Sequence, residues 1–186
     1  MKFTKIPSDA FQKLQINAGI LTTDFTPATG TIGEAGQIGA TTGGINFTAT
    51  PTYTDFGEDI DNCPKNMKEL KRLESWEVKM AGTFVNASTA IAKSLCGAAD
   101  IDTTDATKIT PRNDIKDADF DDIWLVGDYS DKNGDTNGGF IAIHMLNALS
   151  TGGFQMQTAD KAKGQFAFEY TAHYSMSAQD TVPFEI

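Results

Sequence analysis

The chain has 186 residues, of which 40% are hydrophobic and 22% charged, with a formal net charge of −10. That length suits one domain with a sizeable core, spanning 1–186, and the composition excludes a disordered chain. No run approaches the ~20 apolar residues of a membrane helix. The acidic balance argues against a protein that grips nucleic-acid phosphates, since such grip depends on Lys and Arg.

The opening MKFTKIPSDAF lacks the apolar stretch of a signal peptide, so synthesis and assembly in the cytoplasm are expected. Ser8 or Asp9, after Pro7, can cap a short helix running through Gln15, with Phe11 and Leu14 on one side. Thr22 to Gly44 is dominated by Thr, Gly and Ala and carries only two charges, Asp24 and Glu34. Six glycines (30, 33, 36, 39, 43 and 44) raise the entropy lost on ordering it. It is expected to be a long flexible loop at about 22–44, mobile in the free subunit and ordered against a neighbour.

Two strands follow. Ile45, Phe47, Ala49, Pro51 and Tyr53 alternate with Asn46, Thr48, Thr50 and Thr52. Trp76, Val78, Met80, Gly82 and Phe84 alternate with Glu77, Lys79, Ala81 and Thr83, again with the period of two of a half-buried strand. Asn86 or Ser88 can cap a helix running to about Cys96, which Gly97 is placed to end. Ala87, Ala90, Ile91, Ser94, Leu95 and Ala98 give it an apolar side, and Lys93 points away.

Beyond the helix lie a short strand around Lys108 to Thr110 and another at Ile123 to Val126. The turn chemistry of DKNGDTNGG at 131–139 joins the latter to Phe140–Leu146 as a hairpin. FIAIHML is apolar on both faces, with Phe140, Ala142, His144 and Leu146 on one and Ile141, Ile143 and Met145 on the other. Such a strand needs two covering surfaces, one from its own core and one from a neighbouring subunit. Ile141, Ile143 and Met145 are therefore candidate interface residues. Gly164 to Tyr174 completes the set, with Phe166, Phe168, Tyr170, Ala172 and Tyr174 inward.

Chemistry is sparse. Asp131, Asn133, Asp135 and Asn137 supply oxygens at alternate positions, but an EF-hand loop would need Gly at Thr136 and Glu at Ala142, so a polar hairpin tip is expected. His144 and His173 belong to strand patterns and to no catalytic or metal motif, and neither a GxSxG elbow nor a GxxxxGK[ST] loop occurs. Cys63 and Cys96 are expected to be unpaired, with Cys96 a small core residue. The glycine string lacks a lysine to meet phosphates. No catalytic, cofactor or metal residue is assigned.

Charge is distributed unevenly. From Asp100 to Asp135 there are eleven Asp against Lys108, Arg112, Lys116 and Lys132. The densest group, Asp117, Asp119, Asp121 and Asp122, is a candidate lumen-facing or interface acidic surface. Lys65, Lys68, Lys71 and Arg72 form a compact basic run, a candidate subunit interface that could meet acid on another copy.

The stretch GATTGGINFTATPTYTDFGEDIDNCPKNMKELKRLESWEVKMAGTFV, preceded by FQKLQINAGIL, resembles the major tail tube proteins of long, non-contractile-tailed bacteriophages. The similarity covers most of the chain and is strongest from Phe11 to Val85. It implies a mostly β fold, an antiparallel β-sandwich or flattened barrel with one flanking α-helix. It also implies a non-enzymatic structural role in the virion tail: hexameric rings of the chain itself, stacked into a tube through which DNA is ejected. Implied partners are the tape measure and tail terminator proteins, with DNA passing without tight binding. A small β-sandwich module binding carbohydrate or serving adhesion shares the strand pattern but would more often carry an aromatic platform and an export signal. A metal-assisted hydrolase would need a His-rich ligand set that the chain does not offer.

Overall fold

The computed structural model describes residues 5–7, 10, 14–15, 17–128 and 139–186. Its strands, in chain order, are β1 (Ile20–Thr22), β2 (Phe25–Thr26), β3 (Thr31–Ile32), β4 (Thr41–Asp55) and β5 (Lys71–Phe84). Helix α1 (Thr89–Cys96) follows, and then β6 (Ala99–Ile101), β7 (Ile109–Pro111) and β8 (Asp121–Asp128). The chain closes with β9 (Phe140–Ser150), β10 (Gln155–Gln157), β11 (Gln165–Thr171) and β12 (Phe184–Glu185). The expected first helix and the hairpin tip at 131–139 fall almost entirely outside the described residues.

The alternating runs become the long antiparallel hairpin β4–β5, in register from Ile45↔Gly82 to Asp55↔Lys71 with one shift between Thr52 and Tyr53. β11 pairs with the other side of β5, from Phe166↔Phe84 to Thr171↔Lys79. A second layer is built on β8 and β9, flanked by β1 and β12. β9 joins the layers: His144 and Met145 lie between β8 and β12, whereas Leu149 and Ser150 pair with Thr171 and Tyr170 of β11. The fold is thus mostly β and antiparallel, a sandwich with one flanking helix, as expected.

Between the layers the inward positions of each strand interdigitate. Val78, Met80 and Phe84 of β5, Ile123 of β8, Met145 of β9 and Phe168 and Tyr170 of β11 are all buried. Each side chain of this size stabilises the fold by ~1.5–3 kcal/mol when fully removed from water. Phe84 stacks on Phe168 with ring centroids 4.4 Å apart, and Phe184 of β12 packs against Phe47 and Trp76. The expected inward set on β11 holds from Phe166 to Ala172. It ends at Tyr174, whose ring is exposed while its hydroxyl accepts a hydrogen bond from Trp76 N at 2.9 Å.

α1 forms as its caps dictate. The Ser88 side chain accepts from Ile91 N at 3.1 Å, and Gly97, at φ +73°, turns the chain out of the helix. Asn86, the other candidate cap, instead accepts from Ala40 N. Ile91 and Leu95 face the core, and Ser94 and Ser150 tie the helix to the sheet through Tyr170 and the Leu95 carbonyl.

Thr22–Gly44 carries more regular structure than a loop: the end of β1, the β2–β3 hairpin, a 3-10 turn at Glu34–Gly36 and the start of β4. Thr22 is fully buried, its hydroxyl caps Asp24 N, and Ile38 N bonds Leu21 O. Phe25 packs on Trp124 and Phe140 at 5.3 Å each. Sequence alone hid this because a two-residue strand has no period to detect.

Candidate assembly surfaces

Outward of Pro51 and Trp76 the β4–β5 hairpin has exposed residues on both faces, so it leaves the body as an arm. Asp55 organises its tip, its carboxylate accepting from Gly57 N and Asn66 N at 2.9 Å each. Those two backbone donors hold the carboxyl below its usual range. Tyr53, Phe56, Ile60 and Leu73 are exposed on the arm.

The basic run sits on this arm. Lys65 approaches Glu58 at 3.8 Å, Lys68 approaches Glu69 at 3.5 Å and Arg72 approaches Glu74 at 3.9 Å. Lys71 donates to Asn66 Oδ1 and lies 5.7 Å over the Tyr53 ring. Exposed pairs of this kind contribute little to stability, so the four cations remain available to a partner.

The acidic group divides by environment. Asp117 stays on the surface in a 3-10 turn, Asp117–Asp119. Asp119 does not, and its assignment to a lumen or interface surface is corrected: its side chain is only 2% exposed. Arg112 Nη2 donates to both its oxygens at 2.6 and 2.7 Å, and Lys116 N donates to it at 2.8 Å. Burial alone would raise this carboxyl, but the Lys116 N–H and the Arg112 guanidinium outweigh it and hold it low. The same guanidinium lies 2.9 Å from Asp100 and donates to the Asp114 carbonyl, so it fastens the β6–β7 hairpin to the turn before β8.

Asp121 and Asp122 open β8. Asp122 accepts from Asn147 N at 2.9 Å and lies 3.6 Å from His144 Nε2. Asp121 instead borders a cavity of about 210 Å³ between α1 and the 35–38 segment. Its carboxyl is pushed up, first by burial and then by the neighbouring Asp122 and Asp119 charges, against the opposing pull of Lys93. Lys93, expected to point away, is half-buried on the far side of this carboxylate.

β9 is partly covered by its own chain on both faces. Met145, expected at a subunit interface, is fully buried in this subunit's core, and that assignment is corrected; Ile143 is partly buried against the core. Ile141 and Ile143 both border an opening between the layers alongside Ile45 and Phe47. On the opposite face His144 lies flat on Trp124, 3.8 Å between centroids and 5° between planes. His173 is likewise half-buried, its Nδ1 3.2 Å from the Asn147 carbonyl. Cys63 and Cys96 are unpaired and partly buried.

The most extensive surface feature was not singled out from sequence. β4 ends the sheet order and, among the described residues, pairs only with β5, leaving the other edge of a 15-residue strand open. From Thr41 to Thr54 it carries no charge. Edge strands are usually blunted by charged residues, proline or bulges; here Pro51, the Gly43–Gly44 bulge, both glycines at positive φ, and the register shift between Thr52 and Tyr53 are the devices present. An alternating Thr-rich pattern reads alike for an edge or an inner strand, so only the pairing reveals it.

No group of His, Cys, Asp and Glu among the described residues is arranged to hold a metal ion. Compared with known proteins, the chain matches no family model and no curated protein sequence.

Proposed function

We propose that this chain is a structural virion protein that assembles with copies of itself into rings, stacked as the tube of a phage tail and serving as the conduit for DNA ejection. The observation that carries the reading is the open, uncharged edge of β4. An unpaired strand edge offers a row of backbone donors and acceptors, and a second copy can satisfy them by adding a strand. Contacts between two different patches of one chain generate a ring when the rotation closes. The resemblance of residues 39–85 to tail tube proteins supplies the identity of the assembly, and with it hexameric rings and tape measure and tail terminator partners.

Charge supports the conduit role. A basic wall would hold DNA by releasing counterions, whereas a wall of net negative charge lets it slide. Negative-stain electron microscopy of the purified chain tests the reading: stacked rings with a central hole are expected. A chain that stays monomeric at all concentrations, with and without other tail proteins, would overturn it.

A further inference from the structure

The chain's two histidines, His144 and His173, come together at the part of β9 where the strand passes from one layer to the other. In register, His144 has Trp124 of β8 on one side and Glu185 of β12 on the other. Its side chain is 14% exposed, and its Nε2 is buried without a hydrogen-bond partner. That nitrogen lies 3.6 Å from Asp122 Oδ2, and Nδ1 lies 3.9 Å from Glu185 Oε2. Among the described residues these are the carboxylates within 4 Å of the ring, one from each flanking strand, and β9 itself carries no other titratable side chain. His173 is the remaining titratable group at this corner: its Nδ1 meets the Asn147 carbonyl, while Asn147 N donates to the other oxygen of Asp122.

A neutral imidazole has one N–H, so between two carboxylates it turns a lone pair toward one of them; an imidazolium donates from both nitrogens. The indole adds to this preference, because a cation is attracted to the face of an aromatic ring, and His144 lies flat on Trp124 at 3.8 Å. Burial of the ring opposes the charge, and the two carboxylates at its edges and the aromatic plane beside it offset that cost. We propose that His144 is a proton-operated clasp that joins β8 to β12 across β9 when its ring is protonated and loosens when the proton is lost. Imidazoles exchange their proton between about pH 5 and pH 8, so the clasp is closed at the acid end of that range and opens as pH rises through it. Its state reaches the arm, because β12 carries Phe184 onto Phe47 and Trp76, where the β4–β5 hairpin leaves the body. The clasp does not depend on the self-assembly reading.

The test is amide hydrogen exchange on the full chain at pH 5.5 and pH 8, with protection corrected for the intrinsic pH dependence of exchange. Leu146 N, which donates to Pro183 O beside β12, reports the clasp, and Met80 N in the β4–β5 hairpin is the reference. Leu146 should be about fivefold better protected at pH 5.5 than at pH 8, with Met80 unchanged. His144→Gln and, separately, Glu185→Gln should remove most of that difference, and His173→Gln should retain it. Glu185 is an exposed position, so its variant keeps the test decisive should His144→Gln fail to fold. Equal protection of Leu146 at the two pH values in the parent overturns the proposal, as does a change of the same size at Met80. So does a difference that survives in Glu185→Gln, or one that His173→Gln abolishes.

Discussion

Arg112 forks onto Asp119 with Nη2 2.6 Å from one carboxylate oxygen and 2.7 Å from the other, and the acid it holds is almost wholly buried. The pair joins β7 to the turn preceding β8, so a residue that looks from sequence like one of a surface acidic group is a fastener inside the fold. Asp119→Asn should lower stability by about 2 kcal/mol, the size of a lost charge-assisted hydrogen bond. Urea unfolding would measure it. Because the folded carboxyl is held below its unfolded value of ~3.9, its contribution is full above that pH and lost as pH falls through the folded value. The gap between parent and variant should therefore close in acid.

Asp121 has the opposite sign. Its folded carboxyl is raised, so at neutral pH the ionised form opposes folding, and Asp121→Asn should stabilise the monomer. Solvent screening keeps the gain under about 1 kcal/mol. The gain should be full above the folded value and vanish below ~3.9, where the unfolded carboxyl is also protonated. A thermal melting series from pH 3 to pH 8 checks this, and a destabilised variant at pH 7 would refute the placement of this carboxylate.

The two ends of α1 give an independent check. Ser88→Ala removes the acceptor for Ile91 N and should cost about 1 kcal/mol. Gly97→Ala should cost at least as much, because alanine is strained at φ +73° and its Cβ would stand 3.0 Å from the Ser150 carbonyl oxygen. Chemical denaturation of both variants measures the two costs, and a Gly97→Ala variant as stable as the parent would contradict the helix end.

Much of the scaffold is legible in the chain. The period of two in 45–53 and 76–84 gives β4 and β5, and the Ser88 and Gly97 signals bound α1 within a residue. The failures have physical causes. β2, β3, β6 and β12 are two or three residues long, too short for periodicity, and are held by contacts such as Phe25 on Trp124 and Phe184 on Trp76. Both faces of 140–146 are apolar, so pattern alone could not show that Met145 enters this chain's own core or that Phe25 lies against Phe140. Nor does a run of aspartates disclose that one of them reaches Arg112, since that depends on a turn bringing 119 back toward 112. The Lys65–Arg72 run is exposed, because a hairpin tip can bury little, and Asp117, Asp121 and Asp122 are exposed as well.

The open edge of β4 gives the sharpest test of assembly. Asn46 and Thr50 are exposed and lie on the side of the sheet away from the core. In register, Asn46 faces Ala81 and Thr50 faces Glu77, so a lysine at 50 meets an opposite charge and a lysine at 46 meets none. Asn46→Lys/Thr50→Lys should therefore leave monomer stability within about 0.5 kcal/mol, as surface changes usually do. Charge along the free edge should nevertheless block strand addition and raise the assembly concentration at least tenfold. Thr50→Val, which keeps the β-branched shape without charge, should assemble like the parent. If the double-lysine chain forms tubes as readily as the parent, β4 is not the contact, and the rings must close through another surface.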